Sequence, residues 1–207
     1  MSILYKKIVV GELAANCYLC WNERTKECLI VDPGDDGVGI SEEIEALGLI
    51  PTMVAVTHGH FDHSLAALDL KLIYGIPFGC SSKDEFLLKR QSKTAEYFLK
   101  RKTEIPEIKI DTDLDKIKKI KLGEEEIRII KTPGHTPGGV CLYSANNKLL
   151  FSGDTLFENS RGRTDFSYAS TEDIMDSIGK IMKLAKETLV LPGHGENFVL
   201  GENKVKI

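Results

Sequence analysis

Short apolar runs, separated by turn residues, dominate the first third of the chain. Their pattern predicts strands over 5–10, 16–21, 27–31 and 52–57. Apolar positions at helical spacing predict helices over 40–47 and 65–72, the first of them after a turn over 32–37. This order of strand and helix is typical of proteins that pack helices against a sheet.

The rest of the chain continues the alternation. A long amphipathic helix is predicted over 83–101 with Ser81 or Ser82 as N-cap, and a solvated loop with three aspartates follows it. Further strands are predicted over 117–122, 126–131, 139–144, 148–152 and 188–191, and a helix over 172–184. Because the two halves are alike, we expect a mixed α/β (α+β) fold in which two sheets pack face to face with helices outside.

Composition and charge narrow the possible partners. The net charge of −4 provides no positive surface for nucleic acid or an anionic membrane, so neither is expected as a partner. The chain has no apolar run near the ~20 residues that span a bilayer and no signal-peptide pattern at its start, so we expect a cytoplasmic protein. Cys17 and Cys20 have the spacing of a redox or zinc motif, but on a strand they face opposite sides, which favours packing roles.

The strongest chemical signal is the run His58-Gly59-His60-Phe61-Asp62-His63, which directly follows a predicted strand. Loops at strand ends are where proteins of this class bind ligands. His58 and His60 are two residues apart in an extended segment, so both can chelate one ion. Asp62 and His63 lie past the bend and can bind a second ion.

The remaining histidines lie in two similar loops. His135 and His194 each follow a Pro-Gly pair at the end of a predicted strand. A fixed proline and a freely rotating glycine suit a side chain that must be aimed at a ligand. Asp154 also follows a strand, and its two carboxylate oxygens can bridge two cations. All five histidines therefore have ligand-like settings.

The motifs THGHFDH, TPGHT, SGDTLF and LPGHG, in this order and together with Asn16 and Asp32, resemble the metallo-β-lactamase superfamily. The resemblance implies a four-layered αββα sandwich, formed by one domain over 1–207. It also implies that His58, His60 and His135 bind a first metal, that Asp62, His63 and His194 bind a second, and that Asp154 lies between them. Asp32 would support the histidine loop without binding metal.

The stretch 153–166 narrows the resemblance to two groups within the superfamily. It is similar to the small glyoxalase II-like (hydroxyacylglutathione hydrolase-like) enzymes and to the persulfide dioxygenases. The first pattern implies that Arg163 contacts a glutathione carboxylate, whereas Arg161 and Asp165 either take part in binding or brace the loop. We expect no counterpart of the C-terminal helical domain of classical glyoxalase II, because only 13 residues follow His194 in this sequence.

The function implied is hydrolysis of S-lactoylglutathione-type thioesters by a hydroxide that bridges two divalent ions, with Asp62 as ligand and then proton acceptor. Zinc is the expected metal, and iron or manganese suits the same donors. One alternative is a mononuclear iron persulfide dioxygenase with the iron on His58 or His60, His135 and Asp154. Another is a small ester or lactone hydrolase. A purely structural metal site is disfavoured because such sites use four ligands and this set has seven.

Overall fold

Two six-stranded β-sheets lie face to face in the computed structural model, which describes residues 2–205. Each sheet is built from consecutive parts of the chain. The first sheet contains, in spatial order, β1 (Ile3–Val10), β2 (Ala15–Asn22), β3 (Glu27–Val31), β4 (Ile50–Ala55), β5 (Phe78–Cys80) and β6 (Thr112–Asp113). The second contains β7 (Lys119–Leu122), β8 (Glu125–Lys131), β9 (Val140–Ser144), β10 (Leu149–Gly153), β13 (Leu189–Pro192) and β14 (Phe198–Val199). Between β10 and β13 the chain forms a small separate hairpin of β11 (Leu156–Phe157) and β12 (Ser160–Arg161).

Five α-helices connect the strands in the described part of the chain. They are α1 (Gly37–Ala46), α2 (Ala67–Tyr74), α3 (Glu85–Leu88), α4 (Gln91–Leu99) and α5 (Thr171–Ile181). Side-chain caps set where two of them begin: the Asp36 carboxylate accepts the Gly39 N–H at the start of α1, and the Ser170 hydroxyl accepts the Asp173 N–H at the start of α5.

Three apolar layers hold these elements together. Ile40 and Ile44 of α1, with Leu70 of α2, pack on the outer face of the first sheet. The ring of Tyr18 meets that of Phe151 edge-on between the two sheets, with 5.4 Å between ring centroids. The apolar face of α5, formed by residues 174, 178 and 181, covers the outer face of the second sheet. The predicted αββα sandwich is therefore confirmed.

The alternation along β2 shows how the first sheet separates two cores. Cys17 belongs to the core beneath the helices, and Cys20 belongs to the core between the sheets. The prediction that these two cysteines face opposite sides is confirmed, and both are fully buried. A redox or zinc pair is thereby excluded, because the thiols lie on different faces of the strand.

The predicted single helix over 83–101 is wrong. The chain forms α3 and α4 with a tight turn between them, in which the Arg90 N–H bonds to the Leu87 carbonyl three residues back. The turn lets α4 begin with Gln91, a buried residue whose amide donates to the Ser64 hydroxyl. A tertiary contact thus decides the break, and it has no signature in the helical periodicity.

Several short strands were not predicted, namely β5, β6, β11, β12 and β14. The predicted aspartate loop is also partly wrong, because Thr112 and Asp113 pair with Gly79 and Cys80 as the edge strand β6. Strands of two or three residues are too short to show an alternating pattern. No helix within residues 2–205 is long and apolar enough to cross a membrane.

Strand direction brings the predicted ligand loops to one edge of the sandwich. β3 runs parallel to β4, and β10 runs parallel to β13, so the loops that follow these strands emerge on the same side. The two sheets are joined at this edge, where the Val140 N–H donates to the Thr57 carbonyl at 2.9 Å. A rigid, shared edge positions the side chains described next.

Candidate metal centre

Seven side chains meet at this edge: all five histidines of the chain, with Asp62 and Asp154. They fall into groups whose donor atoms lie within 4.8 Å of one another. We call His58, His60 and His135 the first donor group, and Asp62, His63 and His194 the second donor group. Asp154 forms a further set with His58 and His63, one histidine from each group. The structure thus brings together all seven residues that the sequence predicted as ligands.

Every histidine turns one ring nitrogen towards the cluster and the other towards a polar partner. The outward contacts are His58 Nδ1 with Thr57 Oγ1 at 3.1 Å, His60 Nε2 with the Tyr168 hydroxyl at 2.9 Å, His63 Nδ1 with Asp32 Oδ2 at 3.2 Å, His135 Nδ1 with the Arg163 carbonyl at 2.9 Å, and His194 Nδ1 with the Ala14 carbonyl at 3.2 Å. A carbonyl or carboxylate oxygen can only accept, so it fixes the ring proton on the outward nitrogen. The inward nitrogen then carries the lone pair that a metal requires.

Asp32 supports both donor groups. It lies at 1% exposure, and its carboxylate accepts the Thr57 N–H at 2.6 Å and the Thr57 hydroxyl at 2.7 Å. Thr57 in turn contacts His58, while the second carboxylate oxygen of Asp32 also accepts from His63. This placement is the one expected from the sequence, next to the histidine loop and outside the cluster itself.

Asp84 has a similar position and was missed by the sequence analysis. It is completely buried, and its carboxylate accepts the Gly59 N–H at 2.9 Å, the Thr136 hydroxyl at 2.7 Å and the Gly138 N–H at 2.7 Å. These bonds join the loop of His58 and His60 to the loop of His135. Burial raises the pKa of Asp84, and the hydrogen bonds oppose that shift. An acidic residue next to a predicted N-cap carries no signal of this role.

Asp154 provides the clearest test of whether a cation fits. Its Oδ1 is buried and has no hydrogen-bond partner among the described residues. Oδ1 lies 3.5 Å from His63 Nε2, and Oδ2 lies 3.6 Å from His135 Nε2, so the carboxylate faces both donor groups. A buried carboxylate oxygen without a partner is costly. A positive ion between these atoms relieves that cost, so the residues fit a metal site.

The charge distribution of the cluster supports the same conclusion. Burial, with help from neighbouring imidazoles, lowers the pKa of His58 and lowers that of His60 to about 3, so both are neutral and able to bind a metal. Burial alone would also lower the pKa of His63, but the carboxylates of Asp154 and Asp62 raise it to about 10. The second donor group therefore lies in a negative potential that favours a cation.

Close packing leaves no room for larger residues in one ligand loop. A Cβ on Gly193 would lie 2.3 Å from Asp154 Oδ1 and 2.7 Å from His63 Cε1. Asn16 of β2 holds the same loop, because its side-chain amide donates to the Pro192 and Gly195 carbonyls, each at 2.9 Å. The Pro-Gly-His sequence thus allows the backbone to approach the cluster and be fixed there.

A cavity of about 280 Å³ opens onto the cluster. The donors Asp62, His60 and His194 line its floor, and Tyr168 and Phe166 line one wall. These two rings stack with 5.3 Å between their centroids. Burial raises the pKa of Tyr168 to about 12, so its hydroxyl keeps its proton at neutral pH.

Arg163, predicted to bind substrate, lies at the mouth of this cavity. Its guanidinium pairs with the Asp165 carboxylate, with Nε donating to Oδ1 at 2.6 Å, and stacks over the Phe166 ring at 4.4 Å. Arg161 donates to the Thr164 hydroxyl at 3.3 Å. Asp165 and Arg161 therefore have local partners of the kind expected for loop bracing, and the Arg163 side chain reaches the cavity.

Comparison with known proteins places these motifs in context. The family profile described as the metallo-beta-lactamase superfamily matches residues 10–194. The hydroxyacylglutathione hydrolase GloC of Haemophilus influenzae is 33% identical over 203 residues, which cover 95% of this chain and 93% of that protein. The probable metallo-hydrolase YqgX of Bacillus subtilis is 34% identical over 200 residues, which cover 96% and 93%.

Two solved structures are similar to this chain over almost its whole length. The crystal structure of the BLEG-1 B3 metallo-beta-lactamase superposes with a TM-score of 0.88 at 32% identity, over 96% of this chain and 95% of that chain. The crystal structure of TTHA1623 in a di-iron-bound form superposes with a TM-score of 0.83 at 29% identity, over 95% and 96%.

Proposed function

Because the chain belongs to the metallo-β-lactamase superfamily, whose members typically bind one or two metal ions, we propose that it is a binuclear metal-dependent hydrolase of S-lactoylglutathione-type thioesters. The observation that carries the proposal is the division of seven donor side chains into two groups joined by Asp154. A substrate carbonyl has access to both groups through the adjoining cavity. The name of the relative GloC supports the choice of substrate.

Two cations bound at the first and second donor groups would supply a water of lowered pKa as nucleophile and polarise the thioester carbonyl. Zinc suits these imidazole and carboxylate donors, and iron or manganese suits them as well. The di-iron form of a structural neighbour supports two ions in this fold.

The chain's own residues orient the substrate and take up the proton of the attacking water. Asp62 Oδ2 lies 3.3 Å from His194 Nε2 at the floor of the cavity, where its carboxylate can take up the proton lost by the attacking water. The Tyr168 oxygen accepts the His60 Nε2 proton, so the Tyr168 hydroxyl can donate its own proton to the substrate. The departing thiolate is a good leaving group, so no strong general acid is required.

The experiment is metal analysis of the purified protein, combined with assays on S-lactoylglutathione and, under oxygen, on glutathione persulfide. We expect two metal equivalents and thioester hydrolysis without oxygen uptake. One equivalent of iron with oxygen uptake would instead show a persulfide dioxygenase, and hydrolysis of esters or lactones alone would show another member of the superfamily.

The second donor group is tested by His194→Ala. His194 is partly exposed, so its removal is tolerated by the fold better than removal of the buried His63. We expect a loss of one metal equivalent and of thioesterase activity by at least about 100-fold. The matched control is Glu196→Ala in the same loop, since Glu196 is exposed and, within residues 2–205, forms an ion pair only with Lys7. Normal activity in His194→Ala would contradict a working second ion.

A further inference from the structure

A groove leads away from the metal centre along α4. The cavity above the cluster and an outer groove of about 730 Å³ share five lining residues, so they form one continuous depression. The shared residues are Thr94, Phe98, Arg163, Phe166 and Tyr168. The groove continues past Tyr97 to Lys93 and Arg90.

The outer end of this groove is positively charged, although the chain as a whole is negative. Arg90, Lys93 and Arg163 contribute three cationic groups, and Asp165 is the one acidic residue in the lining. Asp165 is already paired with Arg163. Within residues 2–205 neither Arg90 nor Lys93 forms an ion pair, and the Arg90 guanidinium lies over the Phe86 ring at 5.8 Å. Two cationic groups are therefore available to a ligand.

The walls between these charges and the metal centre are aromatic. Tyr97 and Phe98 are 68% and 38% exposed, and their rings meet edge-on with 5.2 Å between the centroids, so they form a contiguous apolar patch. Phe98 stacks on Phe61 of the histidine motif, with 6.0 Å between the ring centroids. An apolar wall with a basic outer end matches a molecule whose carbon chain leads to a carboxylate.

Helix geometry gives the distance involved. Lys93 and Arg90 lie one and four residues before Thr94, which lines the inner cavity, so at 1.5 Å per residue they lie up to about 6 Å further along the helix axis than that cavity. An extended peptide covers about 6 Å in about two residues. A peptide-sized thiol therefore fits between the metal centre and the basic end.

We propose that Arg90 and Lys93 bind a carboxylate of the leaving thiol, so that the groove along α4 selects thioesters of short, acidic peptide thiols. This inference rests on the proposed thioesterase function for its catalytic readout. It assigns to α4 a recognition role that the sequence analysis gave to Arg163 alone. Lys93 and Arg90 are exposed, so substitutions there leave the core and the metal ligands untouched.

The test compares Arg90→Gln/Lys93→Gln with the parent on S-lactoylglutathione and on its diethyl ester, which lacks both carboxylates. We expect the ratio of kcat/KM for the acid to that for the ester to fall about tenfold, and the salt dependence of KM for the acid to weaken. Lys89→Gln is the matched control, because Lys89 pairs with Glu85 and does not line the groove. An unchanged ratio in the double variant would overturn the inference.

Direct binding separates this inference from the proposed function. S-methylglutathione, a thioether that cannot be hydrolysed, is titrated into the metal-loaded parent and the double variant. Binding that weakens about tenfold in the variant supports the groove even if neither thioester is hydrolysed, in which case the thioesterase proposal alone fails. Equal affinity in parent and variant, or no binding to the parent, contradicts the role of Arg90 and Lys93.

Discussion

Asp84→Asn perturbs the first donor group without touching any of its ligands. The Asp84 carboxylate accepts two N–H groups and one hydroxyl from the loops that carry His58, His60 and His135. Asparagine has the same shape, but it has one acceptor oxygen and places an NH₂ group where the second oxygen was. With the carboxamide oxygen facing Gly59 and Thr136, its NH₂ faces the Gly138 N–H.

The expected loss of stability follows from these three hydrogen bonds. A hydrogen bond to a charged group contributes about 1.5–3 kcal/mol, and a buried donor left unpaired costs about 1–3 kcal/mol. Losing one such bond and weakening the other two gives a destabilisation of about 2–4 kcal/mol. Because the loops also lose their fixed spacing, we expect the first donor group to bind metal about 10- to 100-fold more weakly, the range observed when residues that support metal ligands are removed.

Urea unfolding of the metal-free protein measures the loss of stability, and competition with a chelator measures the loss of metal affinity. In a His194→Ala background, where the first donor group alone is intact, Asp84→Asn should still weaken metal binding. In a His135→Ala background, where only the second group is intact, it should have an effect below about threefold. Asp111→Asn serves as control, since Asp111 lies away from the cluster and pairs with Lys71. Equal loss in both backgrounds would refute a specific link to the first donor group.

Three further predictions concern other positions. Gly193→Ala places a Cβ against Asp154 and should lower metal affinity by at least about tenfold in the same chelator competition, whereas unchanged affinity would show that the loop can move aside. Although burial raises the pKa of Asp113, the Ser82 N–H lowers it to about 2, so the ionised form stabilises the fold above the ordinary pKa of 3.8 and this contribution is lost as the pH falls through 2. Urea unfolding should therefore show Asp113→Asn less stable than the parent by about 1 kcal/mol at pH 6, after allowance for solvent screening, and by only about a third of that at pH 2.5; a constant difference would contradict this cause. Gly179→Ala should stabilise α5 by about 0.5–1 kcal/mol, because no atom lies within 4 Å of the added Cβ, and a lowered melting temperature would disprove it.

The sequence was most informative where local pattern and function coincide. Strands such as β2, β8 and β10 have enough residues to show their character, and the motif from His58 to His63 is placed by the strand before it. The grouping of His135 and His194 with this motif came from the order of the motifs, which resembles that of a known family. The convergence of these loops then follows from parallel strands that end at one edge.

What could not be predicted depends on contacts between distant parts of the chain. The break before Gln91 follows from its bond to Ser64, 27 residues earlier, and the role of Asp84 follows from loops that meet it only in the folded state. Tyr168 likewise reaches His60 across 108 positions. Such contacts have no fixed spacing, so neither periodicity nor propensity reveals them.

The central claim, a thioester hydrolase that needs both donor groups, is tested most directly by returning metal to the metal-free protein in known amounts. The rate of S-lactoylglutathione hydrolysis is measured after each addition of zinc, iron or manganese. We expect little activity with one equivalent and a plateau at two, since the proposal assigns one ion to each donor group and Asp154 faces both groups. A plateau at one equivalent, or no hydrolysis at any metal content, would contradict the claim.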